Sequence, residues 1–442
     1  RRPPISTLFP YTTLFRSPAS ADANTFDAVS YDALVDAPAE IGNFDEREFD
    51  ESGAHFRMVL DAGNFDSAAL EHNLQRITSS EIRMMDGAPF REYTFFFHIG
   101  DYPDVGGGGM EHANGTAIAA SSLEEATAIA AHEFFHAWNV KRIRPQSLAP
   151  VDYTKEQYTR ALWFAEGVTS TYASYTLERA GLWSRKKFYA DLAQQIAELQ
   201  SHPARKWQSV EESSLDAWLE KYTDYRVPAR SISYYNKGQI DGVLLDIAIR
   251  AATQNRKSLD DVLRLMNHKY AQQGKYYDDS NGVRAAVEEV AGKSFEDFFR
   301  RYVSGTDEIP YQDFLPLAGL DLQISKQVTP TLGFWPGGAF GGKESSVATI
   351  EADSAAESAG ILPGDDILAL DGKPFPANFT TWLAGRKQGE TVNLRVRRDG
   401  REINFSYIVE SQEEDHYSVA EAPHPTDIER RIREGILHGR SE

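Results

Sequence analysis

The sequence predicts an α+β protein of more than one domain, with a mainly helical middle and a separate β-rich module toward its C-terminal end. Three observations carry this expectation. At 442 residues the chain exceeds what one hydrophobic core usually covers. Apolar positions recur at helical spacing in 121–138, 159–180, 185–200, 236–253, 258–272 and 281–303, with few strand signals between them. After Gly305 the text changes to short alternating runs broken by Gly, Pro and Asp, continuing to about Glu410.

Composition narrows the functional classes. Apolar residues at 41% and aromatics at 12% are ordinary for a globular protein, and no apolar run approaches the roughly 20 residues of a membrane span. Against 46 basic side chains stand 66 acidic ones, and the net charge of -20 repels phosphate backbones, so nucleic acid is not an expected partner. There is no cysteine; a bound metal would take nitrogen and oxygen ligands, and no disulfide reports the compartment, which leaves cytoplasmic and exported locations both open. Residues 1–17 form no signal-peptide core. The string from Ile5 to Ser17 resembles translated sequencing-adapter sequence, so residues 1–30 are expected to be a non-native or remnant arm, with the native N-terminus and any export signal missing.

Ahead of the helical middle, the clearest strand is Tyr93 to Ile99, aromatic and β-branched throughout. The tetraglycine Gly106 to Gly109 suits a place where backbone bends or comes close to another chain. The helix 121–138 opens on Ser122-Leu123-Glu124-Glu125, a capping-box pattern, and carries His132-Glu133-Phe134-Phe135-His136. At about 100° per residue the two histidines lie roughly 40° apart on one face, one turn apart, where they can share a tetrahedral ion. Glu133 projects about 60° beyond His136, beside the ion rather than on it, placed to deprotonate a metal-bound water. Catalytic zinc takes three protein ligands and leaves a fourth position open. Glu166 is the expected third: it sits in Ala161-Leu162-Trp163-Phe164-Ala165-Glu166-Gly167-Val168-Thr169, a helical pattern carrying glycine and β-branched residues that favour other conformations. Asp152, Glu156 and Glu178 are weaker candidates.

The series His132-Glu133-x-x-His136, Asn139-Val140-Lys141-Arg142-Ile143-Arg144-Pro145 and Trp163-Phe164-x-Glu166-Gly167 resembles the glycyl aminopeptidase family of gluzincin zinc metallopeptidases, over residues from about 31 to 410. The resemblance implies a thermolysin-like catalytic domain, with an edge strand beside the zinc helix and a mainly helical lobe completing the site. It also implies one Zn2+ ion and peptide substrates beginning with small residues such as glycine or alanine. Gly109-Met110-Glu111-His112 resembles the exopeptidase signature in which a glutamate receives the substrate's α-amino group; a carboxylate suits an ammonium because their bond is charge-assisted. This chain has His112 where the larger related group carries asparagine, and a hydrogen-bonded loop histidine is its expected role. Tyr235-Asn236-Lys237-Gly238 resembles the clan's tyrosine segment, whose phenol donates to the oxyanion; Tyr234 is the adjacent alternative. Asn139 is expected to support the site.

The run Ala356-Glu357-Ser358-Ala359-Gly360-Ile361-Leu362-Pro363-Gly364-Asp365-Asp366-Ile367 resembles a PDZ domain core. This implies a backbone loop for a peptide's C-terminal carboxylate, expected at Leu332, Gly333 and Phe334. The resulting layout is 31–184 catalytic, 185–318 helical lobe, 319–411 PDZ, and 412–442 a charged tail with one short helix over Asp427–Leu437. A missing N-terminal β domain would leave apolar surface exposed where the catalytic domain begins. The function expected is a zinc aminopeptidase. The alternatives are a zinc endopeptidase with PDZ-assisted substrate capture and a PDZ adaptor with a vestigial metal site.

Overall fold

A computed structural model describes residues 28–63, 65–100, 107–220, 230–337, 346–376 and 378–440. The adapter-like segment lies outside these residues, as do Gly106 of the tetraglycine and most of the glycine-rich stretch near Gly342.

The chain divides into two compact units. One takes the residues up to 100, Gly107–Gln323 and everything from Tyr417 onward; the other is Ile324–His416. The expected catalytic domain and helical lobe thus form a single unit. Its first half holds α1 (Tyr31–Val35), β1 (Asp45–Glu51), β2 (Ala54–Ala62), α2 (Ser67–Met84), β3 (Glu92–Ile99), β4 (Gly108–His112), β5 (Gly115–Ala120) and α3 (Leu123–Phe135). Among the described residues the sheet runs β1-β2-β3-β5-β4. β3 is central and parallel to both β2 and β5, which is why Tyr93 to Phe97 are buried on both faces. β4 is an edge strand, antiparallel to β5, with Glu111 opposite Thr116.

The two phenylalanines inside the histidine motif bolt α3 in place from opposite sides. Phe134 packs edge-on against Phe56, Tyr93 and Trp138 beneath the sheet. Phe135 stacks on Tyr172 of α4 (Thr169–Arg179) at 4.5 Å. Two buried aromatics of this kind contribute several kcal/mol, about 2–3 each. α3 stops at Phe135, three residues short of the expected Trp138. The amides of Ala137 and Trp138 bond three residues back, to Phe134 and Phe135, tightening the last turn. At the other end Ser122 caps the Glu125 amide as expected, but Glu125 reaches Ser121 rather than Ser122.

After α4, and before the chain leaves this unit, come α5 (Arg185–Ser201), α6 (Val210–Leu215), α7 (Ala217–Glu220), α8 (Tyr234–Thr253), α9 (Leu259–Lys269), α10 (Asp279–Ala291), α11 (Glu296–Phe298) and α12 (Tyr311–Phe314). The chain leaves the unit along β6 (Leu320–Thr331), which pairs with the returning β12 (Glu410–Glu421). Between them the second unit holds β7 (Phe334–Pro336), β8 (Val347–Ile350), α13 (Ala355–Ala359), β9 (Asp366–Leu370), α14 (Phe379–Ala384), β10 (Thr391–Arg398) and β11 (Arg401–Ile408), around a core of Leu332, Phe334, Ile367, Leu394 and Val396.

The last segment departs from the expectation of a tail. Residues from Tyr417 belong to the first unit, and α15 (Asp427–His438) buries Ile432, Ile436 and Leu437. Its charge is spent in pairs: Arg433 with Glu421, and Glu434 with Arg185 of α5. Near the start of the described chain Val29, Tyr31, Leu34 and Ile41 are exposed.

Candidate active site

The three expected ligand atoms meet. His132 Nε2 lies 3.2 Å from Glu166 Oε2, His136 Nε2 lies 3.2 Å from the same oxygen, and the two imidazole nitrogens are 3.1 Å apart. Two imidazole nitrogens and a carboxylate oxygen at this spacing need a shared positive charge, which a proton or a metal ion can supply. A tetrahedral zinc with bonds of about 2.0–2.1 Å holds its ligand atoms about 3.3 Å apart, and the donor set fits it. Asp152, Glu156 and Glu178 are not brought to this cluster.

Local structure explains the convergence. Residues Trp163–Val168 form a π-turn, the outcome of the helical but glycine-bearing text noted above, and α4 follows directly. Asn139 stitches the end of α3 to this turn: its amide donates to the Phe164 carbonyl at 2.8 Å and the Thr169 hydroxyl at 3.1 Å. Its main-chain oxygen accepts from His136 Nδ1 at 2.7 Å, which leaves Nε2 to face the triangle. His132 Nδ1 lies 3.3 Å from the Ser170 hydroxyl, which also bonds the Glu166 carbonyl. Sequence reading missed Ser170; the signal was its spacing, one helical turn after Glu166 on the same face.

Electrostatics separates the two histidines. Burial alone lowers both, and His132 stays below its ordinary value; for His136, Glu166 with Glu111 and Glu133 overrides burial and raises it to about 10. Glu166 is held well below the carboxylate range because His136 and His132 outweigh its burial.

Glu133 is buried and packs over the edge strand. A Cβ on Gly109 would overlap the Glu133 Cγ and Cδ, whereas one on Gly108 would meet nothing. This gives the glycine run a physical reason at Gly109, and a Cβ on Gly107 would likewise meet the end of the Glu125 side chain. Glu111 enters from the same strand, and its carboxylate, that of Glu133 and a nitrogen of His136 lie within 4.8 Å of one another. Met110 points outward and is 62% exposed. His112 is buried at the strand's end, 3.6 Å from Asp36. Burial would raise Asp36, but His112 and Lys141 together hold it down to about 2, and it also accepts from the Ala113 amide.

Tyr235 stands beside the triangle of His132, His136 and Glu166, its ring 6.1 Å from that of His132, while Tyr234 is buried behind it and stacks on it at 4.8 Å. Glycine makes this approach possible. Cβ atoms on Gly167 and Gly238 would overlap the opposing backbone, so α8 crosses the π-turn at the closest distance chains allow. In the second unit, the expected loop residues stand in a turn into β7: Gly333 has φ +71°, and its amide donates to Thr331 Oγ1 at 3.0 Å.

The family model for M61 glycyl aminopeptidase matches residues 125–240, a range that includes His132, Glu133, His136, Glu166 and Tyr235. That for the PDZ domain matches residues 327–409. The chain thus holds a segment that matches the M61 family, followed by one that matches the PDZ domain. A Rhizobium meliloti (strain 1021) protein provisionally named a zinc metalloprotease is 35% identical over 69 residues, 15% of this chain and 18% of that protein's length. The crystal structure of an aminopeptidase N family protein from Idiomarina loihiensis superposes with a TM-score of 0.77 over 93% of this chain and 73% of that one. At 24% identity, that likeness speaks to the fold. Glu111 falls outside the family-matched segment, and its place in the site rests on the geometry above.

Proposed function

We propose that this protein is a zinc aminopeptidase that removes small N-terminal residues, glycine or alanine, from peptides. One zinc ion held by His132, His136 and Glu166 would polarise the scissile carbonyl and make water acidic enough to attack at neutral pH. Glu133 takes the proton of the attacking water and returns it to the departing amine. Tyr235 donates its phenolic hydrogen to the oxyanion as charge builds there. Glu111 accepts the substrate's ammonium and so fixes the chain by its end. Gly109 and Met110 supply the edge-strand backbone along which the peptide lies. The PDZ unit would bind a C-terminal peptide at Leu332, Gly333 and Phe334, where Gly333 holds a left-handed turn.

The single observation that carries the exopeptidase reading is Glu111, a carboxylate beyond the metal-binding set that faces Glu133 and His136 from the edge strand. The test compares free and N-acetylated glycyl and alanyl substrates. Cleavage of the free forms alone is expected, while equal turnover of the blocked forms would favour an endopeptidase. Activity that survives chelation or Glu133→Gln would count against the zinc mechanism, and no turnover of any substrate by the zinc-loaded chain would leave a PDZ adaptor with a spent site.

A further inference from the structure

One helical turn beyond the metal-binding residues, α4 and α8 converge on the same carboxylate. On α4, Ser170 touches His132, and the next residue on that face, Ser174, donates to Asp191 Oδ2 at 2.9 Å. On α8, Tyr235 lies beside His132, and the next residue on its face, Gln239, donates to the same oxygen at 3.0 Å. Gln195, itself fixed by the Asn236 amide at 2.8 Å, is a third partner of Asp191. One turn of helix separates each pair, so the carboxylate stands roughly 10 Å from the metal-binding atoms.

Asp191 is mostly buried and forms no ion pair among the described residues. Lys187, one turn earlier on α5, pairs with Glu124 and acts on Asp191 only through its charge, without an ion-pair contact. Neutral donors hold the carboxylate rigid without cancelling its charge, which leaves a fixed negative group in want of a cation. We propose that Asp191, gripped by Ser174 and Gln239, forms the floor of the subsite for the substrate's second residue and selects lysine or arginine there.

The direction of the peptide follows from the aminopeptidase reading, on which this inference rests. Glu111 holds the amino end on the His136 side of the triangle. The chain beyond the scissile bond then runs past His132, where Ser170, Ser174 and Asp191 follow in order. A lysine ammonium about 6 Å from its own Cα spans the remaining distance.

The experiment compares kcat/KM of the zinc-loaded full chain on Gly-Lys-Gly, Gly-norleucine-Gly and Gly-Glu-Gly. Lysine is expected to exceed norleucine by about tenfold, mainly through KM, and the ratio should shrink as salt rises. Asp191→Asn should erase the ratio, and Asp191→Lys should turn the preference toward glutamate. Equal rates for lysine and norleucine, a ratio untouched by Asp191→Asn, or a changed preference only at the first residue would overturn the assignment. If the variants do not fold, the salt dependence of the unmodified protein decides alone. No cleavage of any of these peptides would remove the aminopeptidase reading and this one together; cleavage without second-residue preference removes only this one.

Discussion

At the scale of single residues, the triangle is a place where a proton and a metal compete. His136 is the group that holds the proton, because Glu166, Glu111 and Glu133 raise it to about 10 while burial keeps His132 low. A folded value above the ordinary one means that the protonated form is favoured below about pH 10, and zinc must displace that proton. Zinc affinity is therefore expected to rise with pH by up to about tenfold per unit across the neutral range, with about one proton released per ion bound. Calorimetry in buffers of different ionisation enthalpy measures that proton directly, and a pH-independent affinity would contradict the reading. The adjacent glycines provide a second residue-level contrast. Gly109→Ala should push Glu133 off its position and lower kcat by about a hundredfold or more, in the range typical of displaced catalytic groups. Gly108→Ala, with open space around it, should leave stability within about 0.5 kcal/mol. His132, Glu133 and His136 could be singled out because helical geometry fixes what four-residue spacing does, and Glu166 because its helical text carries glycine and β-branched residues. Ser174 and Asp191 were not, since their meeting depends on where α4, α5 and α8 cross.

Among the elements, the decisive contact is that crossing of α8 over the π-turn. The turn was foreshadowed by text that fits a helix poorly, with Gly167 and Val168 next to Glu166. What the sequence left unsaid is that Gly238 and Gly167 face each other, since nothing local distinguishes a glycine kept for close packing from one kept for a bend. Gly238→Ala would drive a methyl into the Trp163 carbonyl and the Gly167 Cα. Overpacking of this kind costs about 1–3 kcal/mol, and relief by moving α8 would carry Tyr235 away from His132. A lower melting temperature together with a loss of kcat larger than that of zinc affinity is the expected result. If kcat is unchanged despite the lower melting temperature, the crossing is structural only. The end of α3 teaches a similar lesson: the apolar pattern runs on to Trp138, but the chain turns at His136 because Asn139 draws the backbone toward the π-turn.

For the whole molecule, the C-terminal helix decides how the first unit holds together. Its pattern was visible, with Ile428, Ile432 and Ile436 at four-residue spacing behind Thr426, and the structure adds a capping box with Glu429. The surrounding Arg and Glu residues made it read as a solvated tail, since charge in sequence does not reveal whether its partners lie on other helices. In the fold, Arg179 at the end of α4 donates to the Ile436 carbonyl at 2.9 Å, and the fully buried Arg250 of α8 donates to the Arg440 carbonyl at 2.7 Å. The same two arginines pair with Asp260 and Asp246, so α15 closes a buried ionic layer shared by α4, α8 and α9. Ending the chain after residue 425 would remove three buried aliphatic side chains, uncover the surface they pack on, and leave two buried guanidinium groups short of acceptors. Burial of the side chains alone is worth about 5 kcal/mol, and an unpaired buried cation adds to the loss. Calorimetry should show the melting of the first unit falling by about 7 °C or more, at about 1.5 °C per kcal/mol for a unit of about 300 residues. The transition of the Ile324–His416 unit, which has its own core, should stay in place. Because α4 extends from the turn that carries Glu166, zinc affinity should fall in the same truncated chain. Unchanged zinc binding with a lowered melting point would mean that the ionic layer stabilises the unit without holding Glu166.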